Sequence, residues 1–399
     1  MVSEKMLELG RRRSVIRELF EYGRTRRAEI GEDRVFDFSL GNPSVPAPAV
    51  VGDTLAALLR ETDPALLHGY TSAQGDARVR EAIAAYVRQT YRAPADADRI
   101  YLTAGAAAAL SIALRALLPD GGGDEVIAIA PYFPEYRVFT ENAGGRLVPV
   151  PARAGDFGID IPGLLAAVTP RTRAVIINSP NNPTGAVLSV SDAAALGEAL
   201  RSASERVGHP IYLLADEPYR ELVYDGVTVP WLPLYYENTL VLYSFSKSLS
   251  LPGERIGYVL VHPDAAAAEE VYAAILGAGR SLGYVCAPAL FQYMIPACLG
   301  KTSDLQVYRE NRDRLYTALT RYGYDCVRPE GAFYLFVRAL EPDAVAFSER
   351  AKKRELLLVP SDDFGYPGYV RIAYCVSPQM VERALPAFRA LAEDYRKGS

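Results

Sequence analysis

The sequence has few of the side chains on which metal enzymes and serine hydrolases depend. Its 399 residues include three histidines, His68, His209 and His262, which lie far apart and show no HExxH-type spacing. A zinc site of that kind and a Ser-His-Asp triad both need histidine beside other reactive groups. The sequence therefore argues against a metal enzyme and against a Ser-His-Asp hydrolase, and we expect no bound metal.

Cysteines are also few, and no hydrophobic run is long. The four cysteines are scattered and form no CxxC pair, which indicates reduced thiols in a cytoplasmic protein. No segment approaches the roughly 20 apolar residues of a transmembrane helix, and the N-terminus lacks the apolar core of a signal peptide. The formal net charge of −5 argues against nucleic acid or an anionic membrane as the main partner.

The sequence does contain a series of short apolar runs separated by stretches with helical spacing. Most of these runs are continuous and not alternating, which is typical of buried parallel strands. Asp76 is a candidate N-cap for one of the intervening helices. Alternating strands and helices predict an α/β sheet covered on both faces. The six candidate strands are residues 99–104, 125–130, 173–178, 210–215, 239–244 and 258–262.

The pattern changes towards the C-terminus, where strands are predicted at 331–339, 355–361 and 369–377. A final helix is expected to begin at Ser377-Pro378, because serine caps helices and proline suits the first helical position. Strands and helices of this part have a different spacing from those before it, which indicates a smaller α+β domain.

We predict three segments along the chain. Residues 1–46 form an N-terminal arm and part of the small domain, residues 47–290 form the large domain, and residues 291–399 form the small C-terminal domain. The N-terminal stretch is basic on one face and apolar on the other. It is expected to be an arm helix that packs on the body of the protein or on a partner subunit.

Lys247 lies in the hydroxyl-rich segment SFSKSLSLPGERIG (244–257), directly after an apolar run. A lysine that forms a Schiff base must lose its proton, and burial beside other positive charge lowers its pKa. Gly105 lies at a strand-to-helix turn, where free backbone N–H groups and the helix dipole favour an anion. Ser244 and Arg255 could add a hydroxyl and a cation to the same anion. The pattern indicates a reactive amine beside an anion site.

Asp216 and Asn182 follow two other candidate strands. A carboxylate at the carboxyl end of a sheet strand lies where α/β proteins place ligands, and Asp216 could pair there with a protonated ring nitrogen. An aspartate in this position is also common as a helix cap or turn residue. Asn182 lies in the turn NSPNNPTG (178–185), and Tyr219 lies three residues after Asp216. We expect these side chains to share one crevice.

Taken in order, nine segments resemble the class I/II aminotransferases of the aspartate aminotransferase superfamily, which are fold-type-I enzymes that use pyridoxal 5'-phosphate. The resemblance implies a large cofactor-binding domain with a mostly parallel seven-stranded sheet sandwiched by helices, and a smaller α+β domain built from both chain ends. It also implies a homodimer with shared active sites. The segments are SLGNPSVPAP (39–48), HGYTSAQGDARVREAIAAY (68–86), LTAGAAAAL (102–110), PYFPEY (131–136), NSPNNPTG, DEPYREL (216–222), SFSKSLSLPGERIG, PEGAFYLF (329–336) and YVRIAY (369–374).

The resemblance assigns roles around the cofactor ring. Lys247 matches the lysine that forms the Schiff base with the cofactor, and Asp216 matches the partner of the pyridine nitrogen. Asn182 and Tyr219 match the residues that hydrogen-bond the phenolic oxygen. Phe133 matches the aromatic residue that stacks on the ring, where many relatives have tyrosine or tryptophan.

A second group matches the phosphate site of the family. Where many relatives offer a hydroxyl side chain in the glycine turn, this chain has two alanines, which offer only backbone N–H groups. The residue that matches Tyr70 reaches across from the neighbouring subunit in the family. The full set is Gly105, Ala106, Ala107, Ser244, Arg255 and Tyr70.

The remaining matches concern the substrate. Arg371 matches the arginine that grips the α-carboxylate, where its planar fork suits the group better than lysine would. Gly41 and Asn42 match the stretch that closes over the same carboxylate, and Asn182 is also expected to bind the substrate. Arg280 either reads a side-chain carboxylate, as in aspartate-specific relatives, or is a structural or interface arginine.

The resemblance implies an aminotransferase that moves an amino group between an L-amino acid and a 2-oxo acid. The alternative is another reaction on the same scaffold, catalysed by a β-lyase, a cyclase or an oxidase. A more remote alternative is a pyridoxal-phosphate-binding transcription regulator. The negative net charge and the 38 residues before SLGNP argue against a fused DNA-binding module.

Overall fold

The protein is described by a computed structural model that covers residues 2–11 and 14–397. Its helices are α1 (Glu4–Arg11), α2 (Val15–Ile30), α3 (Ala49–Glu61), α4 (Pro64–Leu67), α5 (Ala77–Tyr91), α6 (Gly105–Leu117), α7 (Glu135–Asn142), α8 (Ile161–Ala167), α9 (Val190–Val207), α10 (Phe245–Ser248), α11 (Ala268–Ser281), α12 (Ala289–Cys298), α13 (Leu305–Tyr322), α14 (Ala344–Lys352) and α15 (Pro378–Lys397).

The strands are β1 (Phe36–Asp37), β2 (Ile100–Thr103), β3 (Glu125–Ala130), β4 (Arg146–Pro151), β5 (Thr172–Asn178), β6 (Tyr212–Asp216), β7 (Thr239–Ser244), β8 (Gly257–Val261), β9 (Tyr334–Arg338), β10 (Leu356–Leu357), β11 (Val359–Pro360) and β12 (Tyr369–Ala373).

Seven of the described strands form one large sheet in the order β2-β8-β7-β6-β5-β3-β4. Strands β4, β3, β5, β6 and β7 pair in parallel, whereas β8 is antiparallel to both β7 and β2. The predicted mostly parallel seven-stranded sheet is confirmed. The six strands that were predicted individually correspond to β2, β3, β5, β6, β7 and β8.

Both faces of this sheet are covered by helices, as the continuous apolar runs indicated. Adjacent strand residues point to opposite faces, so Leu214 packs in the layer that includes α6 and α11. Its neighbour Leu213 packs in the layer that includes α9. The helix caps also follow the sequence, because the Asp76 side chain accepts a hydrogen bond from the backbone N–H of Arg78 at 2.9 Å and caps α5.

Strand β4 is the one member of the large sheet that was not predicted. It pairs only with β3 and therefore lies at the sheet edge. Its sequence RLVPVP contains Pro149 and Pro151, and only Leu147 and Val150 are buried along it. Proline cannot donate a backbone hydrogen bond and is tolerated in sheets mainly on edge strands. Because the prolines interrupt the apolar run, the sequence pattern did not predict this strand.

The two ends of the chain meet in a smaller layer. Strands β9, β12 and β11 form an antiparallel sheet, and β1 from the N-terminal region pairs in parallel with β10. Helix α15 begins at Pro378, and its Val381, Phe388 and Leu391 are fully buried against this layer. The predicted α+β unit built from both chain ends is confirmed, while the boundaries at residues 46 and 290 stay predictions.

The N-terminal arm is helical in its described part, although residues 12 and 13 of the basic stretch lie outside the described residues. Helix α2 packs on the small layer through Leu19, which contacts Val359 and Phe364. Along residues 2–11 and 14–397, no helix combines the length and the apolar composition that crossing a bilayer requires. No cluster of His, Cys, Asp and Glu suited to a metal ion occurs in the same residues.

Candidate active site

A cleft of about 260 Å³ lies at the carboxyl ends of strands β5, β6 and β7 and extends towards the small layer. Ligands of open α/β sheets bind at this edge, because loops and helix N-termini converge there. Eleven of the residues that were predicted for the site line the cleft. They are Gly41, Ala106, Ala107, Phe133, Asn182, Asp216, Tyr219, Ser244, Lys247, Arg255 and Arg371.

Lys247 is half-buried in the short helix α10, directly after β7. Its Nζ donates a hydrogen bond of 2.7 Å to the backbone carbonyl of Gly41. The pKa of Lys247 is lowered to about 8, mainly by burial; the Cys375 thiol raises it, and the nearby guanidinium groups of Arg255 and Arg371 lower it. At pH 7 roughly a tenth of such an amine is neutral, far more than for an ordinary lysine. The structure therefore provides a nucleophilic amine near neutral pH.

This lowered pKa predicts how the reactivity of Lys247 changes with pH. Only the neutral amine reacts with an acylating reagent, so labelling in the cofactor-free protein should rise between about pH 7 and pH 9 and then level off. Trace acetic anhydride labelling followed by mass spectrometry of the Lys247 peptide measures this, with the exposed Lys353 as a reference for reagent loss. A labelling rate that still rises steeply above pH 10 contradicts the prediction.

Asp216 ends strand β6 and is 4% exposed. Its Oδ2 accepts a hydrogen bond from the Tyr136 hydroxyl, whereas its buried Oδ1 has no partner among the described residues. The pKa of Asp216 is raised to about 7: burial raises it most, the hydrogen bond from Tyr136 lowers it, and the neighbouring Glu217 carboxylate raises it. A buried carboxylate oxygen without a partner costs about 1–3 kcal/mol, so the site is built for a donor that approaches from the cleft.

Tyr136 was not among the predicted site residues. It is the last residue of PYFPEY, the segment that was quoted for Phe133. The Phe133 ring lines the cleft and meets the Tyr136 ring edge-on, with centroids 5.8 Å apart. Sequence spacing alone does not tell which of two tyrosines in the segment reaches Asp216.

The turn at Gly105 joins β2 to α6 and carries the anion site. Gly105 has a φ of +80°, a backbone conformation that favours glycine, and a Cβ there would lie 2.8 Å from Nη2 of Arg255. The first N–H groups of α6 have no partner within the helix and face an anion favourably. Ser244 adds a hydroxyl that lies 2.7 Å from the hydroxyl of Ser246. Ser246, two residues along in the same segment, lines the cleft and was not predicted.

Arg371 lies on β12, opposite the large sheet, and is 2% exposed. Its Nη1 donates to Asn182 Oδ1 at 3.0 Å, its Nη2 donates to the Ser39 carbonyl, and its buried Nε has no partner. No carboxylate among the described residues forms an ion pair with it. Buried charges are normally paired, so this guanidinium is prepared for an anionic ligand.

Asn182 is held in place by the end of the neighbouring strand. Its backbone N–H donates to Asn178 Oδ1 at 2.7 Å, and Asn178 Nδ2 donates to the Asp216 carbonyl at 2.8 Å. The hydroxyls of Tyr219 and Tyr334 lie 2.9 Å apart. Tyr334, which was not predicted, also places its ring 4.7 Å from the Arg371 guanidinium carbon. These contacts bring the ring-binding and carboxylate-binding candidates into one network.

Four predicted residues do not line the cleft of a single chain. Gly105 lies just behind it, against Arg255. Asn42 is exposed, and Arg280 is exposed near the end of α11. Tyr70 is 99% exposed. A residue that completes the site of a neighbouring subunit would have to be exposed in the isolated chain.

The sequence model described as aminotransferase class I and II matches residues 33–388. This chain belongs to the class I and II aminotransferases. The aminotransferase is 55% identical to an amino transferase from Eubacterium rectale, whose crystal structure superposes with a TM-score of 0.97 over 99% of both chains. It is 30% identical to aromatic-amino-acid aminotransferase 2 of Thermococcus litoralis over 96% of each sequence.

Aspartate aminotransferase from Thermus thermophilus, solved with maleate, is 27% identical to the aminotransferase. The two structures have a TM-score of 0.86, covering 98% of this chain and 100% of that one. All three relatives are aminotransferases by name. The comparisons therefore favour transamination over the β-lyase, cyclase, oxidase and regulator alternatives.

Proposed function

We propose that this aminotransferase moves the α-amino group of an L-amino acid to a 2-oxo acid with pyridoxal 5'-phosphate as its cofactor. One observation carries the proposal. A lysine whose pKa is lowered to about 8 lines the same cleft as a buried guanidinium without a carboxylate partner. The first group suits amine chemistry on a carbonyl, and the second suits a substrate carboxylate.

The residues of the cleft fit the cofactor at three points. The unpartnered Oδ1 of Asp216 suits a protonated pyridine nitrogen. The Gly105 turn, together with Arg255 and Ser244, suits a phosphate. The half-buried face of Phe133 suits a flat ring. When bound, the cofactor supplies an electrophilic carbonyl carbon and a ring that accepts electrons.

The chain's own residues then bind the substrate and move one proton. Arg371 binds the α-carboxylate with its planar fork, and Asn182 orients that fork through Oδ1. Nζ of Lys247, once neutral, takes the proton from the substrate α-carbon as a general base and returns it as a general acid. The Tyr219 hydroxyl, which is positioned by Tyr334, would donate a hydrogen bond to the phenolic oxygen of the cofactor.

We propose a homodimer as the active form. Tyr70, 99% exposed and located between α4 and α5, would contribute its hydroxyl to the phosphate site of the partner. This role would also explain how the site manages with alanine at 106 and 107, which offer no side-chain donor. The cytoplasmic location stays a prediction.

Two half-reactions test the function. The purified protein with pyridoxal 5'-phosphate is mixed with an amino acid alone, and the absorbance of the bound cofactor is followed. A transaminase converts the cofactor to its amino form, and a 2-oxo acid added afterwards restores the original spectrum. Release of ammonia without that conversion would instead support a lyase or an oxidase.

Tyr136→Phe is expected to weaken cofactor binding about tenfold. The change leaves both Asp216 oxygens without a partner and raises the pKa of Asp216, because the Tyr136 hydrogen bond lowers it in the parent protein. A raised pKa keeps the carboxyl protonated to higher pH, so the onset of tight binding should move upward in pH. Titration of the cofactor-free protein by absorbance, at several pH values, measures both effects.

Tyr132→Phe is the matched control for this prediction. The Tyr132 hydroxyl accepts a hydrogen bond from Arg137 at 3.0 Å and does not contact Asp216. This variant should keep the parent's affinity for the cofactor and its pH dependence. Equal losses in the two variants would show that Tyr136 acts only through packing.

A further inference from the structure

Four side chains lie in a row on the face of the small sheet that is turned towards the cleft. Arg371 on β12 pairs with Phe336 on β9, and residues paired in this way point to the same face. Tyr334 and Tyr369 lie two positions away on the same strands, so their side chains point in the same direction. Arg371 and Tyr334 line the cleft. The face that presents the guanidinium therefore continues into the aromatic pair Phe336 and Tyr369, whose rings stack with centroids 4.8 Å apart.

The part of the chain that forms the large sheet contacts this row at both of its ends. At one end, the hydroxyls of Tyr219 and Tyr334 lie 2.9 Å apart. At the other end, the ring of Phe157, from the loop between β4 and α8, meets the rings of Phe336 and Tyr369 edge-on. The centroid distances are 5.5 and 6.0 Å, within the range of favourable aromatic pairs. The arginine of the row therefore lies between two contacts with the large domain.

The loop that carries Phe157 is held in a fixed shape. The Arg153 guanidinium donates to the two carboxylate oxygens of Asp156 at 3.1 and 2.7 Å, and to Asp192 on α9 at 3.2 Å. The backbone N–H of Phe157 donates to the Arg153 carbonyl at 3.1 Å. Phe157 has a φ of +56°, which is uncommon for a bulky residue and favours glycine. The contacts of the ring, and not the backbone, therefore account for a phenylalanine at this position.

The burial of Phe157 separates its role from that of a core residue. Its side chain is half-buried, and it does not line the cleft. Loss of the ring would leave a notch at the surface between the two domains, which costs less stability than a closed cavity because water and neighbouring side chains can fill it. The contact between the domains would nevertheless be lost.

We propose, on the basis of the function proposed above, that Phe157 is a positioning residue for Arg371. Its ring supports the far end of the row and so fixes the distance from the guanidinium to the substrate α-carboxylate. Phe157 acts through Phe336 and Tyr369 and does not touch the substrate. Its removal should therefore weaken carboxylate binding, while the groups that would hold the cofactor stay in place.

The first test uses Phe157→Ala in the holoenzyme. The KM for alanine should rise about tenfold, whereas kcat at saturating donor changes little, because Lys247 is not displaced. The affinity for propionate, an inert carboxylate, should fall by the same factor when it is measured by calorimetry. The affinity for pyridoxal 5'-phosphate should stay at the parent value. An unchanged KM and propionate affinity, or an equal loss of cofactor affinity, overturns the inference.

Three further variants show whether the ring is responsible. Phe157→Tyr keeps the ring and should keep the parent KM. Phe157→Gly suits the backbone but lacks the ring, so it should lose carboxylate affinity as the alanine variant does. Phe139→Ala, at a half-buried phenylalanine of α7 that packs in the large domain, should keep the parent values. A glycine variant with parent affinity would show that only the backbone of the loop matters, and would overturn the inference.

The second test asks whether Phe157 and Arg371 act on the same step. Phe157→Ala should reduce the preference for alanine over ethylamine in the parent, and it should have no further effect on that preference in an Arg371→Ala background. Losses that simply multiply would show that the two residues act independently, which contradicts the proposal. Failure of the parent to transaminate any amino acid overturns the proposed function instead, and the propionate affinities would then still report on Phe157.

Discussion

Lys247→Ala is expected to lower the turnover number for transamination by about 10²- to 10⁴-fold. Lys247 is the only lysine that lines the described cleft, so no other amine is available to take the substrate α-proton. The loss should persist with excess pyridoxal 5'-phosphate, because it concerns proton transfer as well as attachment. Steady-state turnover, with circular dichroism as a check of folding, measures the effect.

Lys247→Arg separates chemistry from charge. Arginine keeps the positive charge and much of the length, but it stays protonated and cannot act as a base at neutral pH. It should therefore be about as inactive as the alanine variant. Lys353→Ala, at an exposed lysine directly after α14, should keep parent activity. Borohydride reduction of the parent holoenzyme should attach the cofactor covalently to the peptide that contains residue 247. Substantial turnover by Lys247→Arg would contradict the role of Lys247 as the general base.

Arg371→Ala is expected to lower kcat/KM for amino acids roughly 30- to 5,000-fold, which corresponds to a loss of about 2–5 kcal/mol of binding free energy. The guanidinium is buried, has no carboxylate partner and keeps Nε without a hydrogen bond, so the substrate carboxylate would be its counter-ion. Arg371→Lys should recover only part of the loss, because an ammonium cannot reproduce the planar fork. Turnover measured at limiting and at saturating concentrations of the amino donor should show that most of the loss is an increase in KM.

The comparison that isolates this role is between an amino acid and the amine that lacks its carboxylate. The parent should prefer alanine strongly over ethylamine, and Arg371→Ala should lose most of that preference. Arg371 also holds Asn182 and the Ser39 carbonyl, so some loss on both compounds is expected. A variant that keeps the full preference for alanine would show that the carboxylate binds elsewhere.

The sequence predicted the large sheet well because buried parallel strands have an unmistakable apolar composition. Strands β3 and β7 were located to the residue, at 125–130 and 239–244. Strand β4 was missed, since an edge position tolerates the prolines that elsewhere exclude a strand. The predicted strand at 355–361 proved to be two short ones, β10 and β11, which pair with different partners.

The site was predicted where a residue type and a strand end coincide, as for Asp216 and Lys247. Tyr136 and Tyr334 were missed, because each becomes relevant only through a contact across the fold. Ser246 was missed although it lies in the same segment as Ser244, two residues along. Tyr334 is 115 residues from Tyr219, whose hydroxyl it meets. No spacing rule reports such a contact, and tyrosine is common in cores of this size. Tyr70 and Arg280 are exposed in the single chain, and their roles stay predictions.

The antiparallel strand β8 determines which residues can share the phosphate site. It runs between β7 and β2, and Gly257 at its start is in register with both Ser244 and Thr103, the last residues of those strands. An antiparallel strand has its amino end at the edge of the sheet where the parallel strands have their carboxyl ends. Arg255 therefore reaches this edge from just before β8. Ser244 reaches it at the end of β7, and Gly105 reaches it just after the end of β2. The reversed direction of one strand in seven thus lets three stretches that are distant in sequence meet at the same edge of the sheet.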